Sequence, residues 1–136
     1  VAVVHGAGPT AAVARRWKTQ INENAKLPAF ASELPEACHN EIEGWEWGAG
    51  NAPLAAVVLG HPEQGERVAR RFELLAQRLR GHGVPVVEAA PRGDDPVARV
   101  LSLVMLGDLV SIELAEAMGV EATPVEAIEA LKRALV

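Results

Sequence analysis

Several features are scarce or missing in this chain of 136 residues, and each gap excludes a class of protein. Cys38 is the single cysteine, so an internal disulfide is impossible. A lone cysteine without a signal-like segment favours a reducing, cytoplasmic location. The 13 Lys and Arg against 18 Asp and Glu leave a net charge of -5, with no basic cluster dense enough to follow a phosphate backbone. We therefore expect no nucleic-acid partner.

Long uncharged apolar runs are missing as well. The most apolar region, residues 97–118, contains Arg99, Asp108, Glu113 and Glu116. A helix facing lipid tolerates such charges poorly, so we expect no membrane partner. The region is predicted to be a helix of the core or of an interface.

Motifs of metal sites and of covalent catalysis are also missing. The sequence has no H-E-x-x-H and no histidine with cysteine at zinc spacing, and a serine-hydrolase elbow of the G-x-S-x-G kind is lacking. Cys38 lies beside His39, but adjacent residues on a helix diverge by about 100°, which argues against a thiol–imidazole pair. We expect no metal site, and Cys38 is interpreted as a small buried cysteine. The histidines are widely separated: His5, His39, His61 and His82.

The residues that are present favour one α/β domain, since 49% of the chain is hydrophobic, enough for a real core. Short apolar runs predict strands, and segments with apolar residues on one face predict helices. The two alternate along the chain, which predicts a three-layer parallel sheet with helices on both faces. The predicted strands are residues 1–5, 28–32, 54–59 and 84–87. The predicted helices are residues 10–26, 36–47, 65–80, 94 or 95 to 119, and 123–135.

Capping residues support several of these helix ends. Gly81 is predicted to end the third helix, and Gly119 the fourth. Asp94 or Asp95, followed by Pro96, is predicted to begin the fourth helix. Residues 123–126 read T-P-V-E, which is typical of a capping box with proline at the first helical position.

A glycine-rich turn follows the first predicted strand. Residues 6–11 read G-A-G-P-T-A, the G-x-G-x-x-A form of a dinucleotide fingerprint, and the acidic Glu33 follows the next strand. Many α/β proteins need glycines at such a turn merely to reverse the chain, and we favour this interpretation. A nucleotide-binding domain remains a third hypothesis.

Two longer motifs are more specific. Residues 15–26 read RRWKTQINENAK and residues 34–46 read LPEACHNEIEGWE. Together they resemble the bifunctional phosphoglucose/phosphomannose isomerase family of sugar isomerase (SIS) proteins. Residues 106–110 and 123–126, with Lys132, are similar to the family as well. The resemblance spans nearly all of the chain but only the C-terminal half of the family protein, which implies an SIS-type, flavodoxin-like fold for residues 1–136.

The resemblance implies the interconversion of an aldose and a ketose hexose 6-phosphate through a cis-enediol, without a cofactor. Glu23 matches the general base, and His39 matches the ring-opening histidine, which in the family reaches the neighbouring subunit's active site. Lys132 matches a lysine that lines the sugar site, and Gln20 and Thr123 are expected to bind substrate. The expected partners are a phosphorylated hexose and a second copy of the chain in a homodimer.

Each of these residues also has a purely structural interpretation. Glu23 could pair with Lys26 three positions on, and His39 could cap or pack. Lys132 could be an ordinary lysine near a helix end, where the helix dipole favours a cation. The predicted capping box accounts for Thr123 without a substrate.

One part of the family pattern is missing. SIS domains hold the substrate phosphate with an S-x-S-G-x-T loop, and the three serines and three threonines here are scattered. In the family this loop belongs to the N-terminal SIS half, which we expect as a further partner in the same protein. Since the chain starts at Val1 within a predicted strand, it is expected to be part of something longer and to have negligible isomerase activity alone. The alternative is a non-catalytic, regulatory module that binds a sugar phosphate.

Overall fold

The computed structural model of the chain describes residues 1–48 and 52–135, so residues 49–51 and 136 of the expected domain lie outside the described part. Strands and helices alternate, as the sequence predicted. The strands are β1 (Ala2–Gly6), β2 (Ala29–Glu33), β3 (Ala55–Leu59) and β4 (Val86–Ala89). The helices are α1 (Pro9–Asn24), α2 (Glu41–Gly48), α3 (Glu66–Gly81), α4 (Pro96–Ala117) and α5 (Glu126–Ala134).

The four strands form one parallel sheet in the order β2-β1-β3-β4. Ala2 of β1 lies between Ala29 of β2 and Ala55 of β3. Because all strands run the same way, every connection must return across the height of the sheet. The helices therefore cover its two faces, and the predicted α/β fold class is confirmed.

Alternate residues of the strands face two separate cores. Val4 and Leu59 pack with Trp17 of α1 and Leu103 of α4 on one face. On the other face, Ala56 and Val58 pack with residues of α2 and α3: Trp45, Phe72, Leu75 and Leu79. The result is the predicted three-layer arrangement, with α1 and α4 on one side and α2 and α3 on the other.

Helices α1 and α4 meet in a closely packed contact, called here the α1–α4 seam. The Trp17 indole Nε1 donates a hydrogen bond to the Leu103 carbonyl at 2.8 Å. Gly107 lies directly against this ring, and a β-carbon there would overlap the indole. The Arg16 guanidinium donates to both carboxylate oxygens of Asp108, at 3.1 and 2.7 Å. Part of the R-R-W-K motif is thus explained by packing.

The seam predicts opposite outcomes for two glycine substitutions. Gly107→Ala forces a methyl group into the Trp17 ring, and overpacking of this kind should lower the free energy of unfolding by about 1–3 kcal/mol. Gly44→Ala is the matched control, since Gly44 is exposed in α2 with open space around it, and alanine favours a helix by up to about 1 kcal/mol. Thermal unfolding of the two variants measures the difference. Equal stability of the two variants would contradict close packing of Gly107 against the Trp17 ring.

Helix α4 begins as predicted, because the Asp95 side chain accepts hydrogen bonds from the N–H groups of Val97 and Ala98 and Pro96 takes the first helical position. Gly119 follows the helix in a left-handed conformation, with φ of 67°. Among the described residues, no helix is both long and apolar enough to cross a membrane.

Two predicted helix ends differ from the structure in part. Residues 36–47 do not form one helix, because a 3-10 turn at Glu36–Cys38 ends before α2 begins. Gly81 is the last residue of α3 as predicted, but the C-cap is His82, and Gly83 adopts the left-handed conformation expected of a glycine cap, with φ of 76°.

The capping box at residues 123–126 is absent as well. Helix α5 starts at Glu126 after Val125, without a side-chain hydrogen bond to its first turn. The carbonyls of Ala122 and Pro124 on either side of Thr123 instead accept hydrogen bonds from the Lys26 ammonium. This tertiary contact holds the segment against the end of α1. The prediction that Thr123 caps a helix is therefore wrong.

His5 is buried in the central strand. Its side chain is fully inaccessible, its ring centroid lies 5.9 Å from that of Trp45, and neither ring nitrogen has a partner among the described residues. Burial without hydrogen bonds disfavours the charged form and lowers the pKa of His5 from 6.5 to about 4.

His5 should therefore make the fold sensitive to acid. Between pH 6.5 and pH 4 the unfolded chain binds a proton at His5 that the folded chain does not, so stability falls as the pH falls through this window. The loss approaches about 3 kcal/mol. Denaturant titrations between pH 7 and pH 4.5 should show a shallower decline for His5→Phe than for the wild type. Parallel curves would rule out this role for His5.

Candidate functional site

The carboxyl end of α1 carries the motif N-E-N-A-K, residues 22–26, and most of its polar side chains are held in place. The Asn22 side-chain oxygen accepts a hydrogen bond from the Ala29 N–H at 2.7 Å. The Asn24 amide donates to the Ser111 hydroxyl of α4 at 2.8 Å. The Lys26 ammonium donates to backbone carbonyls, at 2.6 Å for both Glu23 and Pro124. These bonds fix the position of the helix end.

Glu23 differs from its neighbours. Its residue is exposed, and its carboxylate forms no hydrogen bond or ion pair with any residue that the structure describes. The Glu23–Lys26 ion pair considered from the sequence does not form, because Lys26 bonds the Glu23 main chain instead. Glu23 is thus a free carboxylate on a rigid support, the arrangement that a general base needs.

A groove of about 430 Å³ opens beside this carboxylate. One wall is the end of α1, with Asn22, Glu23 and Lys26. The other wall comes from the α4–α5 connection and the start of α5, including residues 124–128. The groove therefore brings Glu23 together with the C-terminal segment, which the sequence alone could not show.

The two predicted C-terminal site residues, Thr123 and Lys132, lie next to residues of this second wall but do not themselves line the groove. Thr123 is exposed and immediately precedes Pro124, which lines the groove. Ile128 lines it too, and Lys132 lies four residues later in α5, on the same helical face one turn farther along. Both predicted residues are therefore on the Glu23 side of the molecule.

Gln20 is one turn before Asn24 on α1. It is half-buried, and its side-chain oxygen accepts a hydrogen bond from the Asn24 amide at 3.1 Å. Because Asn24 also donates to Ser111, Gln20 belongs to the hydrogen-bonded support of the helix end. Gln20 does not line the groove.

His39, like Glu23, is an exposed residue between neighbours that are held by hydrogen bonds. Its imidazole is exposed, whereas its neighbours are engaged: the Asn40 side-chain oxygen accepts from the Glu41 N–H at 2.7 Å, and the Glu41 carboxylate accepts from the Ser32 hydroxyl at 2.7 Å. The latter bond fastens the start of α2 to β2. His39 is not sealed within a core.

Glu23 and His39 nevertheless lie at opposite edges of the sheet. Helix α1 starts after the carboxyl end of β1 and ends before the amino end of β2, which places Glu23 at the amino edge. His39 follows the carboxyl end of β2. A five-residue strand spans roughly 16 Å, so the two groups of one chain cannot contact the same sugar carbon atoms.

The sequence comparisons agree with the motifs at both edges. Residues 1–135 match the family described as the bacterial phospho-glucose isomerase C-terminal SIS domain. The chain belongs to this family. It is 37% identical over 135 residues to a bifunctional phosphoglucose/phosphomannose isomerase of Aquifex aeolicus and 36% identical over 135 residues to one of Caldicellulosiruptor bescii.

These matches cover 99% and 98% of this chain but 42% and 40% of the relatives, so this SIS domain spans about two fifths of their length. A solved glucose-6-phosphate isomerase-like protein from Thermus thermophilus superposes with a TM-score of 0.70 at 24% identity, covering 88% of this chain and 40% of that one. At this identity the likeness supports the fold alone.

In the G-x-G turn of the SIS domain, residues of the turn itself occupy the groups and the space that a nucleotide would need. The Thr10 hydroxyl accepts a hydrogen bond from the Ala7 N–H at 3.0 Å and lies within bonding distance of the Leu59 carbonyl. A β-carbon at Gly6 would overlap the Thr10 carbonyl, and Gly8 has a φ of 52°. The glycines are thus required by packing and by the turn, and the Ala7 N–H that an anion would need is occupied.

Other residues of the second motif also serve the SIS fold. Cys38 is half-buried, and burial raises the pKa of its thiol, which opposes a role as nucleophile. Glu46 pairs with Arg78 and with His82, joining α2 to α3, and the Arg78 guanidinium holds the pKa of Glu46 below its usual range. Sequence reasoning missed Lys26, whose partners lie nearly a hundred residues away.

Proposed function

We propose that this SIS domain belongs to an enzyme that interconverts glucose 6-phosphate or mannose 6-phosphate with fructose 6-phosphate. The observation that carries the proposal is the contrast at the end of α1, where Glu23 alone of the polar residues at 22–24 and 26 has no partner among the described residues. A carboxylate held in this way above a groove suits proton transfer. No cofactor is needed for this chemistry.

The proposed reaction proceeds through a cis-enediol. Glu23 removes the proton from C2 of the open-chain aldose while the carbonyl oxygen at C1 gains a proton, and the enediol then collapses as the acid form of Glu23 returns a proton to C1. The C2 hydroxyl loses its proton and becomes the ketose carbonyl, so protons balance. Lys132, one turn beyond the groove residue Ile128 on α5, would stabilise the negative charge that develops on the enediolate oxygen. Gln20 and Thr123 stay proposed substrate-binding residues, although neither lines the groove.

The ring-opening histidine must come from another copy of the chain. His39 and Glu23 of one chain are separated by the height of the sheet, whereas His39 is exposed and free to reach outward. We therefore propose a homodimer in which each site combines Glu23 of one subunit with His39 of its partner, as an isologous interface allows.

The phosphate site and part of the assembly surface involve further protein. The chain has no S-x-S-G-x-T loop, and it spans about two fifths of the relatives it matches. We propose that an N-terminal SIS half of the same cytoplasmic protein binds the phosphate group. The outer face of α4 supports such an assembly, because it exposes a row of large apolar side chains. These are Val97, Leu101, Met105, Leu109 and Ile112, each at least 50% exposed.

Replacement of the proposed base tests the enzyme against the regulatory alternative. In the protein that contains both SIS halves, Glu23→Gln should lower kcat by a factor of about 10²–10⁴, because an amide cannot accept the C2 proton. Binding of fructose 6-phosphate, measured by calorimetry, should be largely retained. The control is Glu66→Gln, an exposed carboxylate on the opposite face of the sheet, which should keep wild-type turnover.

Wild-type protein that binds the sugar phosphate without turnover would favour the non-catalytic module instead. The 136-residue chain alone should show no turnover in the same coupled assay. Full activity of this chain would disprove the need for a second half.

The shared site predicts complementation between two inactive variants. Glu23→Gln and His39→Ala homodimers each lack one group at both sites, whereas a mixed dimer has one site with both wild-type residues. Equal co-expression should therefore restore about one quarter of wild-type activity, since half of the dimers are mixed and each has one intact site. A site built within one chain predicts no recovery, so failure of the mixture would refute the cross-subunit arrangement.

A further inference from the structure

Lys26 has an unusual backbone conformation. Among the residues that the structure describes, it is the single non-glycine residue with a positive φ, at 58°. Side chains with a β-carbon are disfavoured in this left-handed region, where glycine is the common choice directly after a helix. A lysine at this position therefore indicates that its side chain performs a task that glycine cannot.

The ammonium of Lys26 has three carbonyl partners. It donates to Glu23 at 2.6 Å, to Pro124 at 2.6 Å and to Ala122 at 3.2 Å. A lysine ammonium has three donors, so its hydrogen-bonding capacity is fully used. The Glu23 carbonyl belongs to the last turn of α1, where carbonyls lack partners within the helix. The other two carbonyls flank Thr123 on the far wall of the groove.

Helix α5 depends on this contact for its position. It has no buried residue, and its side chains Ile128 and Leu131 and that of the C-cap residue Leu135 are at least 40% exposed. Its packing against the rest of the domain is therefore slight. The connection before it is held by Val120 and Ala122, which pack near Ala25, and by the Lys26 hydrogen bonds.

We propose that Lys26 is a positioning residue that pins the α4–α5 connection to the end of α1 and thereby sets Lys132 beside the Glu23 groove. The proposal rests on the function proposed above and deepens it. Lys26 acts through Lys132: although Lys26 lines the groove, all three donors of its ammonium are used by carbonyls.

Two substitutions of Lys26 distinguish an effect on the position of Lys132 from an effect on the stability of the fold. Lys26→Met keeps the aliphatic stem and removes the donors. Lys26→Gly removes the donors as well, but glycine accepts the left-handed φ without strain, so its Tm should equal or exceed that of Lys26→Met. In the protein with both SIS halves, both variants should lose about tenfold or more in kcat with roughly unchanged KM, because Lys132 acts on charge that develops in the transition state.

Hydrogen exchange provides a readout that does not depend on activity. Amides of residues 120–135 should exchange faster in both variants, whereas α1 and the strands should keep their protection. Lys26→Arg, which retains charge and donors, should restore much of the protection and turnover. Lys18→Met, two turns earlier on α1 and outside the groove lining, is the matched control and should behave as wild type.

A double-mutant cycle identifies the path of the effect. If Lys26 acts through Lys132, the Lys26→Gly, Lys132→Met double variant should be no slower than Lys132→Met alone. Additive losses, or wild-type kcat in Lys26→Gly, would overturn the proposal. Absence of isomerase activity in the wild type would instead contradict the proposed function. Independently of activity, unchanged hydrogen exchange at residues 120–135 in Lys26→Gly would show that Lys26 does not hold this segment in place.

Discussion

Because β1 and β2 are parallel neighbours, the chain must cross the full height of the sheet between them, and α1 is the segment that does so. This constraint fixes the ends of α1 at opposite edges. Glu23 is consequently at the amino edge, while His39, which follows β2, returns to the carboxyl edge. The topology thus separates Glu23 and His39 of one chain by the height of the sheet, which is why the proposed site requires two chains.

The polar motifs of this domain serve mainly as supports. Around Glu23, Asn22 binds the start of β2 and Asn24 binds α4. Around His39, Asn40 and Glu41 hold the start of α2. The side chains of Glu23 and His39 themselves form no hydrogen bond or ion pair with the described residues, and they are the groups to which the proposed function assigns chemistry. A site built from rigid helix ends keeps its reactive groups in place before substrate arrives, which lowers the entropy lost on binding.

Local patterns predicted the order of strands and helices and the Asp95 cap, because these depend on neighbours within a few residues. One of the errors involves distant contacts. The T-P-V-E sequence at 123–126 is typical of a capping box, yet α5 starts only at Glu126, and the carbonyls on either side of Thr123 accept hydrogen bonds from Lys26. The motifs pointed to Glu23 and Lys132 separately. Their position on one side of the molecule follows from packing across nearly a hundred residues, which no local pattern contains.

The exposure of Glu23 is consistent with a site that becomes complete only on assembly. A buried carboxylate without a partner would be costly in the isolated domain, whereas an exposed one is stabilised by water. In the proposed assembly, a sugar and a second protein surface would displace that water only where the substrate is held. The domain can therefore fold with this carboxylate solvated. The apolar face of α4 offers surface for such an association.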